Sequence, residues 1–127
     1  MTIHLHHGDL PSNVKFTKSI AVDTETMGLQ PVRDRLCLVQ ISAGDGTAHL
    51  IKFDGKDFTA PNLRKVLQDN SILKIFHFAR FDIAALMFYL NVAPQPVYCT
   101  KIASRLTRTF TDKHGLKELC RDLLGVE

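Results

Sequence analysis

The sequence predicts one α/β domain in which helices flank a mixed β-sheet. Segments with the period of strands alternate with segments with the period of helices along 127 residues, the length of one ordinary domain. A Gly-Asp-Gly turn between two neighbouring strands predicts an antiparallel hairpin, and helices between later strands predict parallel crossovers. The composition, 45% hydrophobic and 23% charged, excludes disordered and fibrous classes.

Three strands are predicted in the first half of the chain. Residues 19–23 are a short run of apolar and β-branched side chains, and residues 35–42 alternate in the manner of a strand. The turn at residues 44–46 leads into a third strand over residues 47–53. We therefore predict that the second and third strands form the hairpin.

Helices and strands alternate in the next part of the chain. A Pro at an early helical position and apolar residues at helical spacing predict a helix over residues 61–68. A buried strand follows at residues 72–76, and residues 79–90 read as a strongly apolar helix. In a small sheet, strand 72–76 is expected to lie near strand 19–23.

The C-terminal part is predicted to be mainly helical. Residues 97–99 are a brief strand, and apolar residues at helical spacing over 102–106 indicate a helix. Leucines over 116–124 mark a last helix, which Gly125 caps.

Positive charge concentrates towards the C-terminus. The formal net charge is +3, but residues 101–121 hold six Lys and Arg against only two acidic residues. Such a run is typical of a solvated helix face and also of a surface that follows phosphates. The charges alone leave both interpretations open.

Several classes of protein are excluded. No apolar stretch reaches the roughly eighteen residues that cross a bilayer, and the N-terminus carries no secretory signal pattern. Three widely spaced cysteines do not suit a disulfide framework and are expected to be buried thiols. We therefore expect a cytoplasmic protein without a membrane partner.

Three carboxylates are candidates for a metal site. Asp23 and Glu25 are two positions apart, which predicts side chains on one face with Cα atoms about 6.5 to 7 Å apart. Hard divalent cations such as Mg²⁺ or Mn²⁺ suit such a pair, although a plain polar strand end has the same pattern. Asp82 lies near the start of helix 79–90, where it either complements the helix dipole or approaches the other two carboxylates.

Several segments together resemble one known family. SIAVDTETMGL followed by RLCLVQIS resembles the first motif of the ribonuclease D branch of the DEDD 3′-to-5′ exonucleases, and KIFHFARFDIAAL resembles the second. The stretch from CTKIASRL to LLGVE is similar to the region that follows in ribonuclease D. The resemblance implies a ribonuclease H-like fold. It also implies hydrolysis of single-stranded RNA ends, such as tRNA 3′ ends, to nucleoside 5′-monophosphates, and the sequence does not separate RNA from DNA.

The same resemblance implies a two-metal site for Mg²⁺ or Mn²⁺. Carboxylates of that family hold two cations about 4 Å apart, a separation that suits in-line displacement at phosphorus. By motif, Asp23 would bridge both cations and Glu25 would bind the one on the nucleophile side. Asp82 would bind through a cation or through its water.

Further residues are implied as contacts to the nucleic-acid strand. Met27 and Leu29 would pack on the last base and Gly28 would allow a close backbone approach, with a turn that makes core contacts as the alternative. His77 would contact substrate or be a satisfied buried histidine, and Phe81 would position the motif aspartate. The full set of implied substrate-binding residues is Thr26, Met27, Gly28, Leu29, His77, Phe81, Arg105, Arg108, Lys113 and Lys117.

One part of the family's pattern is missing. The third motif, a Tyr or His followed four positions later by Asp, is absent after Asp82, and the pair His114 and Glu118 has the spacing but the wrong acid. We therefore expect residues 1–127 to be a single exonuclease domain that stops before its last catalytic helix. The alternatives are a domain that binds nucleic acid without turnover and the N-terminal part of a longer or split exonuclease.

The N-terminus carries three close histidines, His4, His6 and His7. Their spacing could serve zinc, but no Cys or carboxylate partner accompanies them. We predict that they lie on a solvated strand.

Overall fold

The computed structural model describes residues 1–126 and contains a six-stranded mixed sheet with flanking helices. The strands are β1 (Thr2–His7), β2 (Ser19–Thr26), β3 (Leu36–Ser42), β4 (Thr47–Lys52), β5 (Leu73–Phe76) and β6 (Val97–Cys99). The helices are α1 (Pro61–Gln68), α2 (Ala79–Leu90), α3 (Thr100–Thr107) and α4 (Leu116–Leu119), and a π-helical turn (Cys120–Leu124) continues α4. The predicted α/β class is confirmed.

The strand order is β1-β4-β3-β2-β5-β6. The hairpin of β3 and β4 is antiparallel, as predicted, and Gly44 and Gly46 both adopt positive φ in its turn. Strand β2 pairs antiparallel with β3 on one side and parallel with β5 on the other. The predicted proximity of these two strands is therefore confirmed, and β2 lies in the interior of the sheet.

Strand β1 carries His4, His6 and His7, so the solvated strand predicted for them is confirmed, whereas its place at the edge of the sheet was not predicted. It pairs in parallel with β4, and His4 lies opposite His49. Every residue of β1 except His6 is exposed, so the sequence shows no buried alternation there. The rings of His4, His6 and His49 stack on one another, and His6 Nε2 lies 3.0 Å from His49 Nδ1.

The core lies between one face of the sheet and the helices α1 and α2. In β2, the buried residues Ile20, Val22 and Thr24 alternate with exposed residues, because successive side chains of a strand point to opposite faces. Helix α2 contributes Leu86 and Leu90 to the same apolar cluster. The opposite face of β2 is consequently free to carry functional groups.

A carboxylate far away in sequence caps helix α1. Ala60, which precedes the helix, has no side chain that could cap it. Instead, Asp9 Oδ1 accepts a hydrogen bond from the Leu63 N–H at 2.8 Å, and Asp9 Oδ2 accepts one from the Asn62 N–H at 3.0 Å. The segment that follows β1 is thereby fastened to the body of the domain.

The C-terminal region ends as predicted but is not one regular α-helix. After α4 the backbone continues as a π-helical turn, and Gly125 ends it in the left-handed conformation with φ 67°. The three cysteines are free thiols and are only partly buried. No helix among residues 1–126 combines the length and the apolar character that crossing a membrane requires.

Candidate active site

Asp23 and Glu25 project from one face of β2, as their spacing predicts. Both are exposed, whereas Thr24 between them points into the core. Asp23 lies opposite Gln40 of β3, whose Nε2 donates to Asp23 Oδ2 at 3.3 Å. The register between β2 and β3 shifts after Glu25, so the regular ladder of hydrogen bonds between the two strands ends there.

Asp82 lies in the first turn of α2 and is only 3% exposed. Its Oδ1 accepts two hydrogen bonds from Thr24, one from the backbone N–H at 3.2 Å and one from the hydroxyl at 2.5 Å. The parallel pairing of β2 with β5 brings the start of α2 to this point. Phe81, the aromatic residue before Asp82, is half-buried.

The pKa of Asp82 reflects its position beside the other two carboxylates. Burial raises this pKa to about 6, the hydrogen bonds from Thr24 oppose the rise, and the negative charges of Asp23 and Glu25 add to it. The three carboxyl groups therefore lie within electrostatic range of one another. Over residues 1–126, however, no group of three or more His, Cys, Asp or Glu side chains is close enough to hold a metal ion.

The donor set nevertheless fits a divalent cation in its chemistry. Both bonds from Thr24 end on Oδ1 of Asp82, so its Oδ2 carries neither of them. In the described part of the chain, the buried side-chain atom that lacks a hydrogen-bond partner is Arg64 Nε. This oxygen of Asp82 is therefore not a buried atom without a partner. The Asp82 oxygen that Thr24 leaves free and the exposed carboxylates of Asp23 and Glu25 are hard donors, which Mg²⁺ or Mn²⁺ prefer.

A groove of about 410 Å³ runs along the Asp23 face of the sheet. Gln40 lines it from β3, His77 lines it from the end of β5, and Thr100 lines it from the start of α3. His77 Nδ1 lies 2.9 Å from the Thr100 hydroxyl, which donates to the Phe76 carbonyl at 3.1 Å. The structure thus places His77 in the same groove as Asp23.

The surroundings of His77 favour its neutral form. Burial lowers the pKa of its imidazole, and the positive charge of Lys101 lowers it further, while a hydrogen bond to the His114 backbone acts in the opposite direction. A neutral imidazole beside Asp23 can donate or accept a hydrogen bond without adding charge to the groove.

The segment after β2 forms an exposed loop beside the carboxylates. Met27 and Leu29 are 66% and 79% exposed, which leaves both side chains free to meet a ligand. The Thr26 hydroxyl donates to the Gly28 carbonyl and tightens the turn. The sequence predicted that Gly28 allows a close approach of the substrate to the backbone. In the structure, the group close to Gly28 is the carboxylate of Asp34, which a Cβ at Gly28 would overlap.

Asp34 organises this loop, a role that the sequence did not reveal. Its Oδ2 accepts a hydrogen bond from the Gln30 N–H at 3.0 Å, and Arg33 donates to both of its oxygens at 2.9 Å. The hydrogen bond from Arg33 and the one from Gln30 lower the pKa of Asp34 to about 2. The loop that carries Met27 and Leu29 is therefore held by a charged anchor.

The four basic residues that the resemblance implies as substrate contacts are only partly a free surface. Arg105, Lys113 and Lys117 are exposed, whereas Arg108 is 9% exposed. Arg108 Nη2 donates to Asp122 Oδ2 at 2.6 Å, so its charge is already paired within the chain. Arg108 thus departs from the expectation of a substrate contact, because an acid fourteen positions later in sequence reaches it.

His114, half of the loose match to the third motif, is part of the same packed group. It is buried, and its Nδ1 lies 2.7 Å from the Ser104 hydroxyl. Arg108 Nη1 donates to that hydroxyl at 3.3 Å. These contacts hold His114 in a packed group with Ser104 and Arg108.

Thr24 is the site residue that sequence reasoning missed. A signal for it was present, because the period of two places Thr24 on the buried face between two acidic residues. A buried hydroxyl needs a hydrogen-bond partner, and a search for that partner would have pointed to Asp82.

Comparisons with known proteins agree with the fold. Residues 8–127 match the family model described as 3′-5′ exonuclease. Ribonuclease D of Granulibacter bethesdensis is 30% identical over 111 residues, which are 84% of this chain and 26% of that protein. The chain thus spans about a quarter of the length of the curated relatives it matches.

Solved structures show the same likeness. Brucella melitensis NrnC with bound Mg²⁺ superposes with a TM-score of 0.96 at 58% identity, over 100% of this chain and 64% of that chain. Escherichia coli RNase D superposes with a TM-score of 0.71 at 26% identity, over 87% of this chain and 28% of that chain. The fold, the motif order and the family model confirm the resemblance inferred from the sequence. The chain belongs to the 3′-5′ exonuclease family, in which ribonuclease D and NrnC are among its relatives.

Proposed function

We propose that this domain is the core of a metal-dependent 3′-5′ exonuclease that removes nucleotides from single-stranded RNA ends, such as tRNA 3′ ends, as nucleoside 5′-monophosphates. The observation that carries the proposal is the carboxylate group. Asp23 lines an open groove, and Glu25 is exposed on the same face of β2. Their charges add to the rise that burial produces in the pKa of Asp82. The Brucella NrnC structure bound to pGG supports a short RNA strand as ligand, and single-stranded DNA is the competing substrate.

Asp23, Glu25 and Asp82 would hold the metal. The NrnC structure with bound Mg²⁺ supports this cofactor, and Mn²⁺ suits the same oxygen donors. Two such cations, when bound, would neutralise the phosphate charge and lower the pKa of the attacking water. Thr24 would keep Asp82 in place, because its two hydrogen bonds fix one carboxylate oxygen and leave the other free.

The other residues of the groove would position the strand. Met27 and Leu29 offer exposed apolar contacts to the terminal base, and neutral His77 offers a hydrogen bond within the groove. Arg105 and Lys113 would lie along phosphates, because exposed cations attract the backbone whatever its sequence. Lys117 belongs to the same exposed set.

A second function, nucleic-acid binding without turnover, has one observation in its favour. The carboxylates of residues 1–126 form no group of three that could hold a metal ion. The chain also spans 64% of the Brucella NrnC chain, so we propose that a fourth carboxylate and a general base come from polypeptide outside residues 1–127. Without them the domain would bind a strand and hydrolyse it weakly.

The test is a nuclease assay with a 5′-fluorescein-labelled single-stranded RNA decanucleotide in Mn²⁺ or Mg²⁺. We expect shortening from the 3′ end with release of nucleoside 5′-monophosphates, and loss of at least about a hundredfold in rate in Asp23→Asn. Asp112→Asn is the matched control, since it removes an exposed acid elsewhere in the chain and should leave the rate unchanged. Release of nucleoside 3′-monophosphates, or full activity in Asp23→Asn, would overturn the proposal.

A second arm separates the two functions. Residues 1–127 are compared with the same chain extended by the segment that completes the Brucella relative. Trimming that appears only in the extended protein assigns the missing groups to that segment. If neither protein trims RNA but both bind it, the binding function replaces the exonuclease.

A further inference from the structure

Phe78 has a backbone conformation that is unfavourable for a bulky residue. It lies between β5 and α2 with φ 62° and ψ 57°, in the left-handed region where a Cβ is disfavoured. A glycine would adopt this conformation without strain. Strain retained in a non-glycine residue next to a site points to a role for its side chain.

Burial does not account for the side chain of Phe78. Phe78 is 47% exposed, whereas Phe76, two positions earlier, is 1% exposed and belongs to the core. The chain therefore holds an aromatic ring at the surface, at a cost in backbone strain. In the sequence, Phe78 directly follows His77, which lines the groove beside Asp23.

A positive charge stands over this ring. Lys101 Nζ lies 4.3 Å from the centroid of Phe78, which is the geometry of a cation–π contact. Lys101 belongs to the first turn of α3, and exposed Arg105 follows one turn later on the same side of that helix. The charge of Lys101 also acts on His77, so the ammonium group lies near the groove.

We propose that the exposed ring of Phe78 stacks on one base of a single-stranded nucleic acid, while the ammonium group of Lys101 contacts a neighbouring phosphate. An aromatic face beside a cation is the pair of features that binds a single strand without reading its sequence. This inference rests on the proposed function, because it takes the groove beside Asp23 as the path of the strand. It assigns two residues that the motifs did not single out.

The decisive variant is Phe78→Gly, which removes the ring and also relieves the left-handed strain. Binding is measured by fluorescence anisotropy of a 5′-fluorescein-labelled RNA pentanucleotide with Mg²⁺, in protein that also carries Asp23→Asn so that the probe stays intact. We expect Kd to rise about 5- to 150-fold, the range for loss of one base stack, and Tm to stay within about 3 °C or to increase. Phe78→Trp, which keeps an aromatic face, should bind at least as well as Phe78.

The matched control is Phe88→Leu. Phe88 is 54% exposed, and it lies near the far end of α2, about 15 Å along the helix from Phe78. Its replacement should leave Kd unchanged. Wild-type affinity in Phe78→Gly would overturn the proposal, and so would a weakening in Phe88→Leu as large as that in Phe78→Gly. A large fall in Tm in Phe78→Gly would assign the ring to packing and overturn it as well.

Two further measurements sharpen the test. Lys101→Met should weaken binding and reduce the slope of log Kd against log salt by about 0.7, the value for one phosphate contact on a single strand. An unchanged slope would remove Lys101 from the proposal. A pentanucleotide with a single abasic position, scanned along the strand, should show one position at which Phe78→Gly has no further effect. Because binding is measured without cleavage, a failed nuclease assay and a failed stacking test give separate results.

Discussion

Thr24 and Asp82 are joined twice through the same carboxylate oxygen. The backbone N–H and the hydroxyl of Thr24 both donate to Oδ1 of Asp82, across 58 positions of sequence. These bonds lower the pKa of Asp82, whereas burial and two neighbouring negative charges raise it. The pKa of about 6 is the balance of these effects, so each effect can be tested by removing its cause.

Asp82→Asn should flatten the pH dependence of stability in the metal-free protein. The folded-state pKa of about 6 lies above the ordinary value of 3.8, so the folded protein binds this proton more tightly than the unfolded chain. Stability therefore falls as pH rises from about 4 to about 6, by an amount on the order of 2 to 3 kcal/mol that Asp82→Asn removes. Urea unfolding at a series of pH values measures it.

Thr24→Val tests the same balance from the other partner. Loss of the hydroxyl donor should raise the pKa of Asp82 above its present value, as followed by carbon NMR of the carboxyl group. Thr26→Val is the control, because the Thr26 hydroxyl donates to the Gly28 carbonyl and not to Asp82. A titration of Asp82 that does not move in Thr24→Val would contradict the assignment.

Gly28 and Asp34 should be coupled. A Cβ at position 28 would overlap the Asp34 carboxylate, so Gly28→Ala is expected to destabilise the fold by about 1 to 3 kcal/mol. In the Asp34→Ala background, where that carboxylate is absent, Gly28→Ala should cost much less. A double-mutant cycle by urea unfolding measures the coupling, and additive effects of the two changes would exclude it.

Arg108 and Arg105 should differ in what their removal changes. Arg108→Met breaks a pair in which the Arg108 side chain is 11% exposed and the Asp122 side chain 39%, and we expect a loss of about 1 to 2 kcal/mol of stability. Arg105→Met should cost less than about 0.5 kcal/mol but weaken RNA binding in a salt-dependent way. Equal losses of stability in the two variants would refute this division of roles.

The histidine stack should loosen strand β1 at acidic pH. Burial lowers the pKa of His6 and of His49, and the other histidines of the stack lower it further, so folding favours the neutral rings. Stability at this edge is complete above the ordinary pKa of 6.5 and is lost as pH falls below it towards the folded values. Protection factors of β1 amides should therefore drop between pH 7 and pH 5, while those of β2 show no such drop.

The matched pair for that measurement is His49→Gln and His7→Gln. His7 is exposed and lies outside the stack, so its loss should preserve the pH dependence. His49→Gln should remove most of it. The same pH profile in both variants would show that the stack is not the cause.

Local patterns in the sequence predicted much of the fold. The bounds of α1 and α2 agree with the prediction, because a helix start with Pro and a strongly apolar helix are properties of neighbouring residues. Strand β1 was not placed in the sheet, because its pairing with β4 joins segments about 45 positions apart and its side chains are almost all exposed. Pairing at such a distance has no signature in a local pattern.

The candidate site, like the fold, was predicted only where it depends on local sequence. The shared face of Asp23 and Glu25 follows from the period of a strand, and the sequence predicted it. The bond from Thr24 to Asp82 and the pair of Arg108 with Asp122 depend on how separate elements dock, so charge and spacing could not predict them. The same limit explains why the strained position of Phe78 could be recognised only from its backbone angles.

Strand β2 pairs on both of its sides, antiparallel to β3 and parallel to β5. The two exposed carboxylates thus stand on a strand that cannot detach until a neighbouring strand has left, whereas β1 and β6 can fray alone. Local opening at the edges leaves the spacing of Asp23 and Glu25 intact. The pair of carboxylates on β2 is therefore expected to keep its spacing until the interior of the sheet itself opens.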